Sequence, residues 1–131
     1  MLLITGAFCM TTRMEDINGW VERLRNTEKL IIVEGVKDKR ALEKLGARNV
    51  LVLNKPNTPL YKIIEAAAEE SSNIIILTDL DKKGRQLYRM LKTELQGKGV
   101  RVDSYFREFL FRNTKLRQIE GLDSYYEVTV E

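Results

Sequence analysis

Two short stretches decide the fold: IIVEGVKD at residues 31–38 and IIILTDLDKKG at residues 74–84. Each begins with a run of aliphatic residues, which is typical of a parallel strand buried on both faces. Each run then ends in acidic residues, Glu34 in the first stretch and Asp79 and Asp81 in the second. Because ligands of open α/β sheets bind at the carboxyl ends of the strands, this pattern predicts an acidic ligand site at that edge.

The spacing of apolar residues predicts alternating strands and helices along the chain. We predict strands at residues 29–34, 49–53, 73–78 and 100–105, and helices at residues 14–28, 38–45, 60–70 and 83–96. Residues 106–112 are predicted to be helical or irregular, and residues 128–130 to form a short extra strand. Gly46 is predicted to close the second helix.

This alternation predicts a single α/β domain, Rossmann-like, with a mostly parallel four-stranded sheet and helices on both faces. If Glu34 is to meet Asp79 and Asp81, the first and third strands must be neighbours. Right-handed crossovers then place the second strand outside the first and the fourth outside the third, which gives the order 2-1-3-4. The topological switch point of that sheet lies between the first and third strands, where the acids are.

The length of 131 residues suits one domain with a single hydrophobic core. We predict that residues 29–105 form this core, that residues 1–28 form an N-terminal extension and helix packed on it, and that residues 106–131 form a basic and aromatic extension. Hydrophobic residues make up 44% and charged residues 31%, which is typical of a globular protein. A net charge of +3 is compatible with a polyanionic partner without indicating one.

The sequence contains no histidine and a single cysteine, Cys9. These counts exclude a Ser-His-Asp triad, a zinc or haem site with histidine ligands, and an intramolecular disulfide, and we expect a cytoplasmic protein. Residues 1–10 are apolar, but they are too short to cross a bilayer and lack the positive charge of a signal peptide, so we expect no membrane partner. Met10 and Met14 are alternative start sites beside Met1.

Asp79 and Asp81 are spaced to face one cation, because alternate residues of an extended segment point the same way. Carboxylate oxygens suit Mg²⁺, which takes one or two protein carboxylates together with water and phosphate. Three converging acids would repel one another without a cation, so we predict Mg²⁺ or Mn²⁺ held by Asp79, Asp81 and Glu34. The alternatives are that Asp79 or Asp81 caps the following helix, and that Glu34 is a solvated residue at a strand end.

Basic residues and glycines surround these acids, as expected around a phosphodiester backbone. The predicted phosphate-binding residues are Gly35, Lys37, Lys82, Lys83, Gly84 and Arg85. Gly35 allows close approach, Gly84 leads into a helix N-terminus, and Arg85 is suited to bidentate contacts. The alternative for each charged side chain is an ordinary solvated position. Asp38, at the start of a helix, is predicted to cap that helix.

A further basic run near the C-terminus has phenylalanines interleaved in it. It consists of Phe106, Arg107, Phe109, Phe111, Arg112, Lys115 and Arg117. Aromatic side chains beside arginines can stack on nucleic-acid bases, but these are predicted to pack a terminal helix.

The paired motif, Ile-Ile-Val-Glu-Gly-x-x-Asp and Ile-Leu-Thr-Asp-x-Asp-x-x-Gly, resembles the Toprim domain of topoisomerases, bacterial-type primases, recombination mediators and several nucleases. The resemblance covers roughly residues 29–105. In build the chain is similar to small stand-alone Toprim proteins of archaea and some bacteria, and to the Toprim ribonuclease that matures 5S ribosomal RNA.

The resemblance implies a role for each matching position. Glu34 matches the residue taken as general acid or base, and Asp79 and Asp81 match the pair that holds Mg²⁺. The remaining matches are the motif glycines and the acid of the first motif: Gly35, Gly84 and Asp38. Arg85 departs from the pattern, because topoisomerases and primases often carry glutamate after the glycine.

The leading functional hypothesis is a Mg²⁺-dependent nuclease, a hydrolase acting on structured RNA or on DNA, in which Glu34, Asp79 and Asp81 are catalytic. The alternative is a non-catalytic nucleic-acid-binding or complex-assembly module, since the fold does not oblige catalysis. Small-molecule phosphotransfer is less favoured, because no Gly-rich nucleotide-binding loop is present. The oligomeric state stays open: residues 128–130 are a candidate for pairing in a homodimer, and a partner protein is the other possibility.

Overall fold

Helices and strands alternate in the computed structural model, which describes residues 16–130, with side chains to residue 128. In chain order the elements are α1 (Ile17–Asn26), β1 (Leu30–Val33), α2 (Val36–Lys44), β2 (Val50–Val52), α3 (Leu60–Glu70), β3 (Asn73–Ile76), α4 (Lys82–Gly97), β4 (Arg101–Asp103), α5 (Tyr105–Asn113), a 3-10 turn (Ile119–Gly121) and α6 (Leu122–Val130). The apolar stretch at residues 1–10 and the alternative starts lie outside the described residues.

The four strands form one parallel sheet in the order β2-β1-β3-β4, which confirms the predicted order and the α/β class. β1 and β3 are neighbours, with Ile32 beside Ile76. Because both strands run in the same direction, their carboxyl ends meet at one edge of the sheet. Glu34 and Asp79 follow these ends and therefore come together.

The sheet has a hydrophobic core on each face, as the continuous aliphatic runs require. Successive strand residues point to opposite faces, so Ile31 and Ile75 pack with Trp20, while Ile32 and Ile76 pack on the other side. α1, α2, α5 and α6 contribute to the first core, and α3 and α4 to the second. This arrangement confirms the prediction of helices on both faces.

Gly46 ends α2, as predicted. Its φ of 105° lies in the left-handed region that favours glycine. The Gly46 N–H donates to the Glu43 carbonyl, and the Ala47 N–H donates to the Leu42 carbonyl. These two bonds form a Schellman motif, which satisfies carbonyl groups that the helix end leaves free. The chain then turns directly into β2.

Strands are shorter than predicted at the edge where the acids lie. β3 ends at Ile76, although residues 73–78 were predicted as strand. The Leu77 N–H still donates to the Ile32 carbonyl, but the Thr78 hydroxyl donates to the Gly84 carbonyl of α4 at 2.7 Å. The segment that leads into α4 therefore begins at Thr78.

The prediction of an extra strand at residues 128–130 is wrong, because these residues end α6. Their β-branched residues favour a strand locally, but Leu122, Tyr125 and Tyr126 pack at helical spacing against the first core. Tertiary packing therefore outweighs the local preference, and pairing of this segment as a strand across a dimer falls with it. Of the helices between residues 16 and 130, none has the length and apolarity that a transmembrane span requires.

α1 is fixed to α5 through Trp20. The Trp20 side chain is fully buried, and its indole N–H donates to the Phe106 carbonyl at 2.9 Å. The Phe106 ring packs edge-on against the indole, with a centroid distance of 5.6 Å. The first described helix is therefore joined to the segment that follows β4.

Trp20→Phe is expected to lower the free energy of unfolding by about 2 kcal/mol, because a buried hydrogen bond and part of the ring packing are lost. Urea unfolding followed by circular dichroism measures this change, since the variant has no tryptophan fluorescence. Tyr61→Phe, at an exposed position of α3, is the control and should change stability by less than about 0.5 kcal/mol. Equal effects of the two variants would contradict the docking of α1.

Candidate functional site

The acids of the two motifs meet through a direct hydrogen bond. The Asp79 main-chain N–H donates to Glu34 Oε2 at 2.8 Å. Glu34 follows β1 and Asp79 follows β3, so this bond joins the ends of the two central strands. The structure thus brings together the two positions whose meeting led to the predicted strand order.

Asp79 and Asp81 each use one carboxylate oxygen to accept a main-chain bond. Asp79 Oδ1 accepts from the Ile119 N–H at 3.0 Å, and Asp81 Oδ1 accepts from the Gly84 N–H at 2.8 Å. Asp81 is therefore the N-cap of α4, which is the alternative interpretation of this residue. Within the hydrogen bonds of residues 16–130, Oδ2 of both aspartates is left without a protein partner.

Asp38 is buried at the start of α2, with 7% of its surface exposed. Its Oδ2 accepts from the Gly35 N–H at 3.0 Å. Gly35 is the N-cap of α2 and Asp38 its third residue, so Asp38 stabilises the start of the helix from within the first turn and is not the predicted N-cap. Burial raises the pKa of Asp38 to about 6, the Gly35 bond acts against this rise, and the charges of Asp79, Glu34 and Glu120 add to it.

A cleft of about 640 Å³ opens at this edge of the sheet. Six of the predicted site residues line it: Glu34, Gly35, Lys37, Asp38, Asp79 and Lys83. The other four lie at the start of α4 outside the lining. Asp81 and Lys82 are exposed there, Gly84 is buried, and half-buried Arg85 donates to the Leu80 carbonyl at 3.3 Å. The structure therefore divides the predicted set between the cleft and the adjoining helix start.

Glu120 also lines the cleft, and sequence reasoning missed it. It lies in the 3-10 turn, which the Ile119 bond to Asp79 holds against the site. Burial raises the pKa of Asp79, and the charges of Asp81 and Glu120 raise it further. No strand end or motif marks Glu120 in the sequence, so only the three-dimensional contact shows it.

Arg107 is the second residue beside the acids that sequence reasoning missed, because the basic run around it is predicted to pack a terminal helix. Its guanidinium is buried, and Nη2 donates to the Asp79 carbonyl at 2.8 Å. The group lies over the Tyr88 ring, 4.5 Å from the centroid. Burial lowers the pKa of Arg107, yet its charge still lowers the pKa of Asp79. A cation of the protein therefore lies beside the acidic cleft.

Gly84 packs directly on the backbone of Asp79. A Cβ atom at this position would overlap the Asp79 carbonyl oxygen, so the contact requires glycine. The Gly84 N–H is already donated to Asp81. Gly84 thus sets how closely α4 approaches the turn at Asp79. This packing explains the glycine at position 84 without the predicted phosphate contact.

The donor set fits a hard divalent cation that keeps much of its water. Among the residues that the structure describes, no group of three or more Asp, Glu, Cys or His side chains is arranged to hold one ion. Asp79 and Asp81 nevertheless have carboxylate oxygens to offer beside Glu34. One or two carboxylates with water and phosphate are the usual ligands of Mg²⁺.

Comparison with known proteins gives one family match and a group of archaeal relatives. A family model of the Toprim domain matches residues 29–109. A UPF0292 protein of Methanocaldococcus jannaschii is 36% identical, and the match covers 79% of this chain and 82% of the relative. A UPF0292 protein of Pyrococcus horikoshii is 38% identical, with 82% of this chain and 80% of the relative covered.

One solved structure has the same fold. It is that of a protein from Aquifex aeolicus, 30% identical to this chain, with a TM-score of 0.72. The match covers 80% of this chain and 96% of the other. The architecture described above is therefore that of an experimentally determined relative.

Gly84→Ala is expected to destabilise the fold by about 3 kcal/mol, because the added methyl group meets main-chain atoms that cannot move aside. Gly97→Ala, in the last turn of the same helix, is the matched control. A Cβ atom there meets nothing within 4 Å, so alanine should be neutral or stabilising by up to about 1 kcal/mol. Urea unfolding followed by Trp20 fluorescence measures both, and equal stability would contradict the close contact.

Asp38→Asn is expected to gain stability relative to wild type as the pH rises from 4 to 7.5. The folded pKa of about 6 lies above the ordinary value of 3.8, so ionisation favours the unfolded chain. This cost is absent below about pH 4 and complete above about pH 6, and it amounts to about 1 to 3 kcal/mol. Urea unfolding in EDTA measures the gain.

Asp38→Ala separates charge from capping in the same experiment. It should show the same pH-dependent gain, but it should be less stable than Asp38→Asn by a constant amount, because the acceptor for the Gly35 N–H is lost. A difference from wild type that does not change with pH in either variant would contradict the raised pKa.

Proposed function

The chain belongs to the Toprim family, and from that premise we propose that it is a Mg²⁺-dependent nuclease acting on structured RNA or on DNA. Membership of the family indicates a function related to nucleic acid, with metal binding. The observation that carries the finer proposal is the bond between the Asp79 N–H and Glu34 Oε2, which joins the two acidic motifs in one cleft.

The cation would be held by Asp79 and Asp81 through the oxygens that main-chain groups leave unused, with Glu34 as a further ligand, directly or through water. Once bound, Mg²⁺ (or Mn²⁺) supplies polarisation of the scissile phosphate and neutralises charge that develops on it. The mutual repulsion of Asp79, Asp81 and Glu120 supports this assignment, because a cation relieves it.

The remaining residues would orient the substrate and move protons. Lys37 and Lys83 line the cleft with the acids, so their ammonium groups can contact phosphate oxygens beside the reacting group. Lys82 and Arg85, at the start of α4, would extend this contact along the backbone. Glu34 is held by the Asp79 N–H through Oε2, which leaves Oε1 to accept or donate a proton. We place this activity in the cytoplasm.

The second candidate function is a non-catalytic module that binds nucleic acid or assembles with a partner protein. Two observations favour it. Asp81 uses one carboxylate oxygen to cap α4, and within the described residues no three acidic side chains are arranged to hold one metal ion. In this function the cation would dock phosphate without bond cleavage.

Asp79→Asn is expected to lower nucleic-acid cleavage by at least about 100-fold, and Glu34→Gln by a similar factor, because each removes a charge from the reacting site. The assay uses labelled hairpin RNA, ribosomal RNA precursor, and single- and double-stranded DNA, with Mg²⁺, Mn²⁺ or EDTA. Glu65→Gln, exposed on α3, is the control and should cleave like wild type.

Binding is followed on the same samples to separate the two functions. Metal-dependent cleavage that is lost in Asp79→Asn supports the nuclease. Metal-dependent binding without cleavage of any substrate supports the docking module. Absence of binding to every nucleic acid overturns the nuclease and the nucleic-acid-binding form of the second function, and leaves assembly with a partner protein.

A further inference from the structure

Two exposed apolar side chains line the acidic cleft. Among the described residues, the large apolar side chains with more than a third of their surface exposed are Val36, Leu60, Tyr61, Phe111 and Val128. Val36, 51% exposed, and Leu60, 36% exposed, both line the cleft, and Tyr61 directly follows Leu60. Half-buried Leu87 continues this apolar part of the lining from α4.

The fold itself does not require apolar residues at these places. Val36 is the first residue of α2 and Leu60 is the first residue of α3. A polar side chain suits the first turn of a helix equally well, and both side chains leave more than a third of their surface exposed. An apolar surface beside charged groups in a concave site is instead typical of a ligand pocket.

The lining of the cleft therefore has two chemical parts. Lys37, Lys83 and the acids offer charges suited to a phosphate and its cation. Val36, Leu60 and Leu87 offer contact to a flat apolar group. A volume of about 640 Å³ is in the range of pockets that take small ligands. A nucleotide carries both chemical parts joined in one molecule.

We propose that the cleft takes an unpaired nucleotide, with its base against Val36, Leu60 and Leu87 and its phosphate at the lysines and acids. This inference rests on the proposed function and names the substrate class of the same site. In a duplex the bases are stacked on each other, so their faces cannot contact a protein surface. The substrate is therefore single-stranded, or has a loop or flipped nucleotide, where it enters the cleft.

The test compares unpaired and paired probes by fluorescence anisotropy. The probes are a labelled oligouridylate, a labelled oligothymidylate, and the RNA and DNA duplexes made with their complements, all in Ca²⁺ to limit cleavage. We expect wild type to bind each single strand at least about tenfold more tightly than its duplex, since contacts to base faces contribute on this scale. The RNA and DNA arms show which sugar the cleft accepts.

Val36→Ser combined with Leu60→Ser is expected to weaken single-strand binding about three- to tenfold and to leave duplex binding unchanged. The salt dependence of binding should also stay unchanged, because Lys37 and Lys83 are intact. Phe111→Ser combined with Val128→Ser is the matched control, since it removes two exposed apolar side chains that do not line the cleft. The control should bind like wild type.

Each outcome distinguishes this inference from the proposed function. Duplex binding as tight as single-strand binding overturns the inference and leaves a nuclease of paired substrates in place. If the Val36 and Leu60 double variant keeps the wild-type preference for single strands over duplexes, the apolar lining does not contact the base and the inference is overturned. Failure of every probe to bind overturns the inference, whereas the proposed function is decided separately by cleavage and binding of the hairpin RNA, ribosomal RNA precursor and DNA.

Discussion

The structure of the site depends on the contact between Gly84 and the backbone of Asp79. This contact brings the first turn of α4 onto the end of β3, with no room for a side chain between them. Three further segments hydrogen-bond to Asp79. Its N–H donates to Glu34, its carbonyl accepts from Arg107, and its side-chain carboxylate accepts from the Ile119 N–H. Asp79 is therefore fixed from four directions, and its position follows from the whole fold.

This fixation has an electrostatic cost that the protein carries in its folded state. Asp38 and Asp79 are both partly removed from water and both lie close to other acids, so their pKa values are raised. The positive charge of buried Arg107 lowers the pKa of Asp79 and so offsets part of this cost. Such shifted acids are typical of functional sites, where a ligand completes the charge balance. A divalent cation bound beside these acids would relieve their mutual repulsion.

The sequence allowed the sheet and the meeting of Glu34 with Asp79 to be predicted, because strands buried on both faces have an unbroken aliphatic pattern and their ends are marked by acids. The Toprim resemblance, also read from these two motifs, is confirmed by the family match. Glu120 was missed because it belongs to no periodic pattern or motif, and Arg107 because the basic and aromatic run around it is typical of a packed terminal helix. Their roles arise from contacts between distant parts of the chain, and such contacts have no local signature.

The bond from Ile119 to Asp79 has a consequence for the order in which the cleft is assembled during synthesis. Glu34 and Asp79 leave the ribosome well before the segment that holds Asp79 Oδ1 and carries Glu120. Contacts between distant segments close late in folding, since the intervening chain must first be ordered. A nascent chain that already displays both motifs therefore still lacks one wall of its cleft, and the cleft is completed only after residues 119–120 have left the ribosome.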